Sequence, residues 1–203
     1  MNVALLYLPY LPNLFWFSNY LNNESILIEH EEKFVKSSFR NRCVIAGANG
    51  VQVLSIPLTG GRDHAQFYKE VRISHHYNWG KKHWQSIRSA YGSAPYFEHY
   101  ADKFLPLFEK HFEYLFDFNL ALLEVLLRSL KMNKHFDFTS TYEKSNLELM
   151  DLRLIKSADE EINLLRYYQV FENKNGFIPN LSIIDAVFNL GPETKNYLLT
   201  HNQ

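Results

Sequence analysis

One cysteine, Cys43, stands among the 203 residues, so the chain cannot close an internal disulfide and a reducing compartment is expected. An excess of charge is missing too. Lys plus Arg number 21 and Asp plus Glu 22, a formal net charge of −1. That balance supplies no overall field to attract nucleic acid or an anionic membrane, so neither is expected as a partner. Glycine (8) and proline (7) are sparse, and no stretch rich in Pro, Gly or Ser marks a linker. No internal repeat or low-complexity block occurs. Residues 1–23 carry no charged side chain, yet Pro9 and Pro12 interrupt them and Asn13, Ser18, Asn19, Asn22 and Asn23 dilute them. A membrane span needs about 20 continuous apolar residues, and a secretory leader wants a basic start and a small-residue cleavage site. Cytoplasm is the expected location, with no membrane span.

What is present is apolar surface. Hydrophobic residues make up 46% of the chain and aromatics 16%, against 21% charged, enough to offset chain entropy in one domain of this length. Residues 3–7 form a short apolar run stopped by Leu8-Pro9, a buried first strand. A helix can begin at Pro12 with Leu14, Phe15, Phe17 and Leu21 on its inner face. Residues 25–29 read as a second strand. Two β-prone runs, 42–46 and 51–57, flank Gly47-Ala48-Asn49-Gly50 and predict a hairpin. Residues 71–74 suggest a further strand. From Trp79 the period changes: Trp79, His83, Ile87 and Tyr91 recur every four residues, one face of a helix.

Residues 95–130 predict two helices, the second capped by Asp117. A strand is expected near 136–139. Asn180 is placed to cap a helix bearing Leu181, Ile184, Val187 and Phe188, with Ser182 and Asp185 in its first turn. Gly191-Pro192 then ends it and opens another short helix. The fold class is α/β: a single domain over 1–203, strand-rich with a hairpin in the N-terminal half and helix-rich in the C-terminal half.

Two polar blocks could carry chemistry. Arg40-Asn41-Arg42 precedes the hairpin, and side-chain alternation would put both guanidinium groups on one face. Two such forks suit a carboxylate or phosphate; the bland alternative is a surface pair bridged to Glu29, Glu31 or Glu32. The run from His75 to Trp84 joins a strand end to a helix start, where free backbone N–H groups favour an anion. Within it His83 is the candidate proton carrier, against the reading of a packed, hydrogen-bonded core histidine. The nine histidines show no metal-ligand spacing, so no metal is expected. Cys43 lies near positive charge but fits a small buried strand residue. Serine-hydrolase, P-loop and dinucleotide-binding motifs are all absent.

These blocks also carry a resemblance. Arg40-Asn41-Arg42-Cys43 with Ile45-Ala46-Gly47-Ala48-Asn49-Gly50, then Tyr77-Asn78-Trp79, Lys82-His83-Trp84 and Ala90-Tyr91-Gly92-Ser93-Ala94-Pro95-Tyr96-Phe97, resemble the WbqC-like family, particularly its Bacteroidetes branch. So do Tyr168-Gln169-Val170-Phe171 and the run from Gly176 to Asp185. The resemblance implies a link to surface-polysaccharide synthesis and a transferase-like activity on glycan precursors. Leu6-Tyr7-Leu8-Pro9 departs from the His-Gln-Pro opening of many relatives, and Cys43 is not a fixture of the pattern.

The resulting expectation is a protein that handles an anionic sugar or nucleotide-sugar precursor. Arg40 and Arg42 would hold its phosphate or carboxylate, Asn41 and Asn78 its hydroxyls or amides, and Trp79, Tyr91 or Tyr10 its ring. His76 and Lys82 would line the site, and His83 would move the proton. The alternatives are a non-catalytic binder with the same pocket, and an assembly protein that self-associates through exposed aromatics.

Overall fold

The computed structural model describes residues 3–60, 66–144, 149–153 and 164–200. Its first strand, β1 (Val3–Leu6), is followed by helix α1 (Leu14–Asn22) and strand β2 (Ser25–Ile28). The two strands pair in parallel, Val3 opposite Ser25 and Leu6 opposite Ile28. Ala4, Leu5 and Leu6 are no more than 2% exposed. An unbroken apolar run is what a parallel strand covered on both faces requires. Asn13 takes the extended backbone of a helix cap, so α1 starts after it and not at Pro12; its Oδ1 accepts from the Trp16 N–H at 2.9 Å. A second cap comes from far along the chain: Asn180 Oδ1 accepts from the Phe15 N–H at 3.0 Å.

Strands β3 (Arg42–Gly47) and β4 (Gly50–Ser55) form the expected antiparallel hairpin, with Arg42 opposite Ser55 and Gly47 opposite Gly50. Gly50 turns the chain at φ +97°, a backbone region that costs glycine little. Residues 71–74 do not form the expected strand. Ile73 bridges Leu58 and Arg72 bridges Tyr114, each as an isolated pair. Backbone hydrogen bonds run to both sides, as from Ser74 N–H to the Pro57 carbonyl at 2.8 Å and from Ile73 N–H to the Glu113 carbonyl at 2.9 Å, but each contact is too short for a ladder.

Three helices follow: α2 (Trp79–Tyr91), α3 (Phe97–Glu109) and α4 (Leu115–Ser129). Trp79, His83, Ile87 and Tyr91 are all buried along α2, as their spacing predicts. Where α2 meets α3, a Cβ on Gly80 would collide with the Phe108 carbonyl, so glycine permits that close crossing. Helix α4 begins beyond Tyr114, and Asp117 sits in its first turn and does not cap it; a carboxylate there still favours the helix dipole.

Two short strands from the second half complete the sheet. β5 (Asp137–Phe138) joins β2, and β6 (Met150–Asp151) joins β1, both in parallel, giving the order β5-β2-β1-β6. After helix α5 (Glu172–Asn175), helix α6 (Ile183–Leu190) starts beyond Ser182 and not at Asn180, whose side chain is engaged at α1. Gly191 ends α6 at φ +56°, and a single 3₁₀ turn leads into α7 (Thr194–Leu199). The molecule is thus a single α/β domain with one contiguous core. Among the described residues no helix is long and apolar enough to cross a membrane.

Candidate functional site

The three residues of the Arg40-Asn41-Arg42 block part company. Arg40 precedes β3 and turns inward. Its Nε and Nη2 each donate to one oxygen of Glu32 at 2.6 Å, and its side chain is 3% exposed. The guanidinium also lies 4.4 Å from the ring centre of Tyr7, a favourable cation–aromatic contact. Burial pushes the Glu32 carboxyl up, opposed by Arg40. With both Glu32 oxygens engaged, Arg40 is an internal strut. The two guanidinium groups therefore do not form the paired clamp that alternation suggests, since the strand register begins only at Arg42.

Asn41 and Arg42 face a different environment. They line a cavity of about 240 Å³ together with Phe34, Ser37, Ile56 and Thr59. Asn41 is buried, and its Nδ2 donates to the Ile56 carbonyl at 3.1 Å. Among the described residues its Oδ1 has no partner, and neither has the buried Nε of Arg42. A weak contact of 3.4 Å joins Arg42 Nη2 to the Ser37 hydroxyl. An unpaired buried acceptor and an unpaired buried donor are each costly. A ligand offering an anionic or carbonyl oxygen to Arg42 and an N–H or O–H to Asn41 would satisfy both once the two side chains turn these enclosed atoms toward the cavity.

His83 lies elsewhere, in a packed polar contact. The Tyr10 hydroxyl meets its Nδ1 at 2.9 Å, and the Ser55 backbone takes a hydrogen bond from the ring. Trp79 packs edge-on against it at 5.2 Å. Burial pushes the imidazole down to about 4, so it is neutral at pH 7. Tyr10 also contacts the Cys43 thiol, whose burial raises its pKa far above the usual thiol range. A thiol held protonated is a poor nucleophile.

The other residues singled out in the sequence are dispersed. Trp79 and Tyr91 are 4% and 1% exposed, and the Tyr91 hydroxyl accepts from the Ala46 N–H at 3.3 Å. Asn78 caps α2 by accepting from the Lys81 N–H at 3.0 Å. Lys82 covers the Tyr77 ring, and His76 pairs with the Ser74 hydroxyl at 2.6 Å. None of these six residues, His83 included, lines the Asn41–Arg42 cavity. Among the described residues no group of three or more His, Cys, Asp or Glu is gathered to hold a metal; His64 and His201 lie outside them.

Two polar clusters were legible only in part: the sequence placed Asp185 in a first helical turn and offered Glu29 only as a surface partner for the Arg40–Arg42 block. Asp185, fully buried in α6, accepts from the Tyr167 hydroxyl at 2.8 Å, and burial pushes it up to about 6. At the sheet, Glu29 follows β2 and Thr139 follows β5, while Arg153 lies just past β6. Arg153 Nη1 and the Thr139 hydroxyl each donate to Glu29 at 2.6 Å. The one sequence signal for Glu29 is a charge directly after an apolar strand, at its carboxyl end. Arg153 lies in an unpatterned stretch and gave none.

The model of the WbqC-like protein family matches residues 8–162. This chain belongs to the WbqC-like protein family. A relative in the family, the uncharacterised protein Rv1507c of Mycobacterium tuberculosis (strain ATCC 25618 / H37Rv), is 24% identical, the match covering 97% of this chain and 96% of the relative. No solved structure matches the chain. The WbqC-like match takes in the Arg40-Asn41-Arg42 block, the cavity beside it and the Trp79–His83 face.

Proposed function

We propose that this WbqC-like protein binds a small anionic sugar or nucleotide-sugar precursor in the Asn41–Arg42 cavity, as a component of surface-polysaccharide synthesis. The observation that carries the reading is a pair of buried atoms with no partner among the described residues, Asn41 Oδ1 and Arg42 Nε, on neighbouring residues that line one cavity. Their opposite hydrogen-bonding needs match a ligand with an anionic oxygen next to a hydroxyl or amide. Phe34, Ile56 and Leu58 supply apolar wall for a ring.

The geometry supports binding more strongly than group transfer. A transferase using His83 would need that ring to leave Tyr10 and Ser55 and reach a cavity it does not line. Isothermal titration with glucose 1-phosphate, glucuronate and UDP-glucose tests the reading. At least one binds the wild type, Arg42→Ala weakens it by tenfold or more, and His83→Asn leaves it within twofold. Binding of none at millimolar concentration, or equal binding by Arg42→Ala, overturns it.

A further inference from the structure

The carboxyl ends of the parallel strands hold a second cavity, of about 180 Å³, over the face that carries Leu5 and Leu27. Strand register brings its polar wall together. Leu5 pairs with Leu27 and with Asp151, and Leu27 pairs with Asp137. Two residues further along each strand, on the same face, stand Glu29, Thr139 and Arg153. Glu29 is fully buried and Arg153 is 5% exposed, and both line the cavity with Thr139, Ser140 and Thr141. Open parallel sheets take their ligands at this edge, outside the carboxyl ends of the strands.

The hydrogen-bond inventory leaves particular vacancies for a ligand. Glu29 Oε1 accepts from the Glu31 N–H at 2.9 Å and the Thr139 hydroxyl at 2.6 Å, whereas Oε2 accepts only from Arg153. Arg153 uses Nε and Nη2 on Asp151, Nη2 again on the Glu143 carbonyl, and one Nη1 hydrogen on Glu29. One acceptor site on Glu29 and one Nη1 hydrogen on Arg153 thus stay unused among the described residues, on groups already joined to each other. A buried ion pair is often no more stabilising than apolar packing, so a further role would account for its presence at a cavity wall.

We infer that Glu29 and Arg153 bracket a vicinal diol, one hydroxyl donating to Glu29 Oε2 and its neighbour accepting from Arg153 Nη1. The ligand is a neutral polyhydroxyl ring, either a sugar or the ribose of a nucleoside, lying on Leu5 and Leu27 with Ser140 and Thr141 at the rim. This site is separate from the Asn41–Arg42 cavity and does not depend on it.

Ligand-observed and methyl NMR test the inference, with 1,4-anhydroerythritol as a cis-diol and 3-hydroxytetrahydrofuran as its single-hydroxyl counterpart. The diol binds and shifts the Leu5 and Leu27 methyl resonances, while the mono-alcohol binds at least fivefold more weakly. Methyl α-mannopyranoside and adenosine then distinguish a sugar from a nucleoside, and tighter binding of either supports the site. Glu29→Gln weakens diol binding tenfold or more. Should that variant fail to fold, the Ser140→Ala/Thr141→Ala double variant replaces it, with a loss of about threefold or more. Equal binding of diol and mono-alcohol, shifts confined to Ile56 and Leu58, or no binding at 50 mM overturns the proposal.

Discussion

Glu29 and Arg153, 124 positions apart in the chain, meet at 2.6 Å just beyond the carboxyl ends of two parallel strands. Both are almost completely screened from water, and Asp151 ties the same guanidinium back to the strand end through 2.6 and 2.9 Å contacts. Cutting one partner out leaves an uncompensated buried charge. Arg153→Met is expected to lower unfolding free energy by about 3–5 kcal/mol, read as a drop in the urea midpoint. The Glu29→Leu/Arg153→Met double variant should recover much of that loss. A double variant no more stable than the single one would show that the pair is not the source.

The histidine held by Tyr10 gives a pH signature. Because burial pushes His83 down to about 4, below its unfolded value near 6.5, the unfolded chain binds more protons between those limits. Its contribution to stability is therefore complete above pH 6.5 and lost as pH falls toward 4. Asp185, pushed up to about 6, acts in the opposite sense: its contribution is present below its unfolded value near 4 and lost as pH rises through 6. The difference between wild type and His83→Asn isolates the first effect. Denaturation at a series of pH values should show the wild type's advantage shrinking by about 3 kcal/mol from pH 7 to 4. A gap that stays constant with pH would contradict a neutral, buried His83.

At the α2–α3 crossing, Gly80→Ala places a methyl against the Phe108 carbonyl, which is backbone and cannot swing aside. The expected cost is about 1–3 kcal/mol, the usual penalty for overpacking. Gly92 follows α2 and, like Gly80, leaves little room for a Cβ, so Gly60→Ala makes the better control. There a Cβ meets nothing among the described residues, but φ is +76°, so backbone strain is what is added. Equilibrium urea curves for the two variants separate clash from strain. An unchanged midpoint for Gly80→Ala would mean the helices part freely.

Asn180 does two things at once: it adopts φ +53° and its Oδ1 caps α1 across the molecule. Asn180→Ala should cost about 1 kcal/mol for the cap and rather more with the strain of a positive φ. Asn180→Gly loses the cap but tolerates the backbone, so it should be the less damaged of the two. The order of their melting temperatures checks this, and the reverse order would rule out backbone strain at this position.

The sequence made some of this legible and not the rest. The hairpin around Gly47 to Gly50 and the Trp79–Tyr91 stripe were readable because turn chemistry and helical period act over a few residues. The strand expected at 71–74 failed because β propensity cannot say whether a neighbour is a strand or a connection. Within the candidate site, Asn41 and Arg42 were found together, but Arg40 looked identical to Arg42 in a sequence of three. Only its position before the strand, opposite Glu32, turns it into an internal strut.

By itself, then, the sequence determined an α/β domain, its hairpin turn and helical periods, and the polar block from which the candidate cavity draws two residues. Tertiary structure decided which polar atoms have partners. Glu32 consumes Arg40, Tyr10 and Ser55 consume His83, and the return of β6 beside β1 carries Arg153 to Glu29. The reason is physical: local patterns report hydrogen bonds between near neighbours, whereas the pairing of a buried charge depends on which distant strand lies beside it.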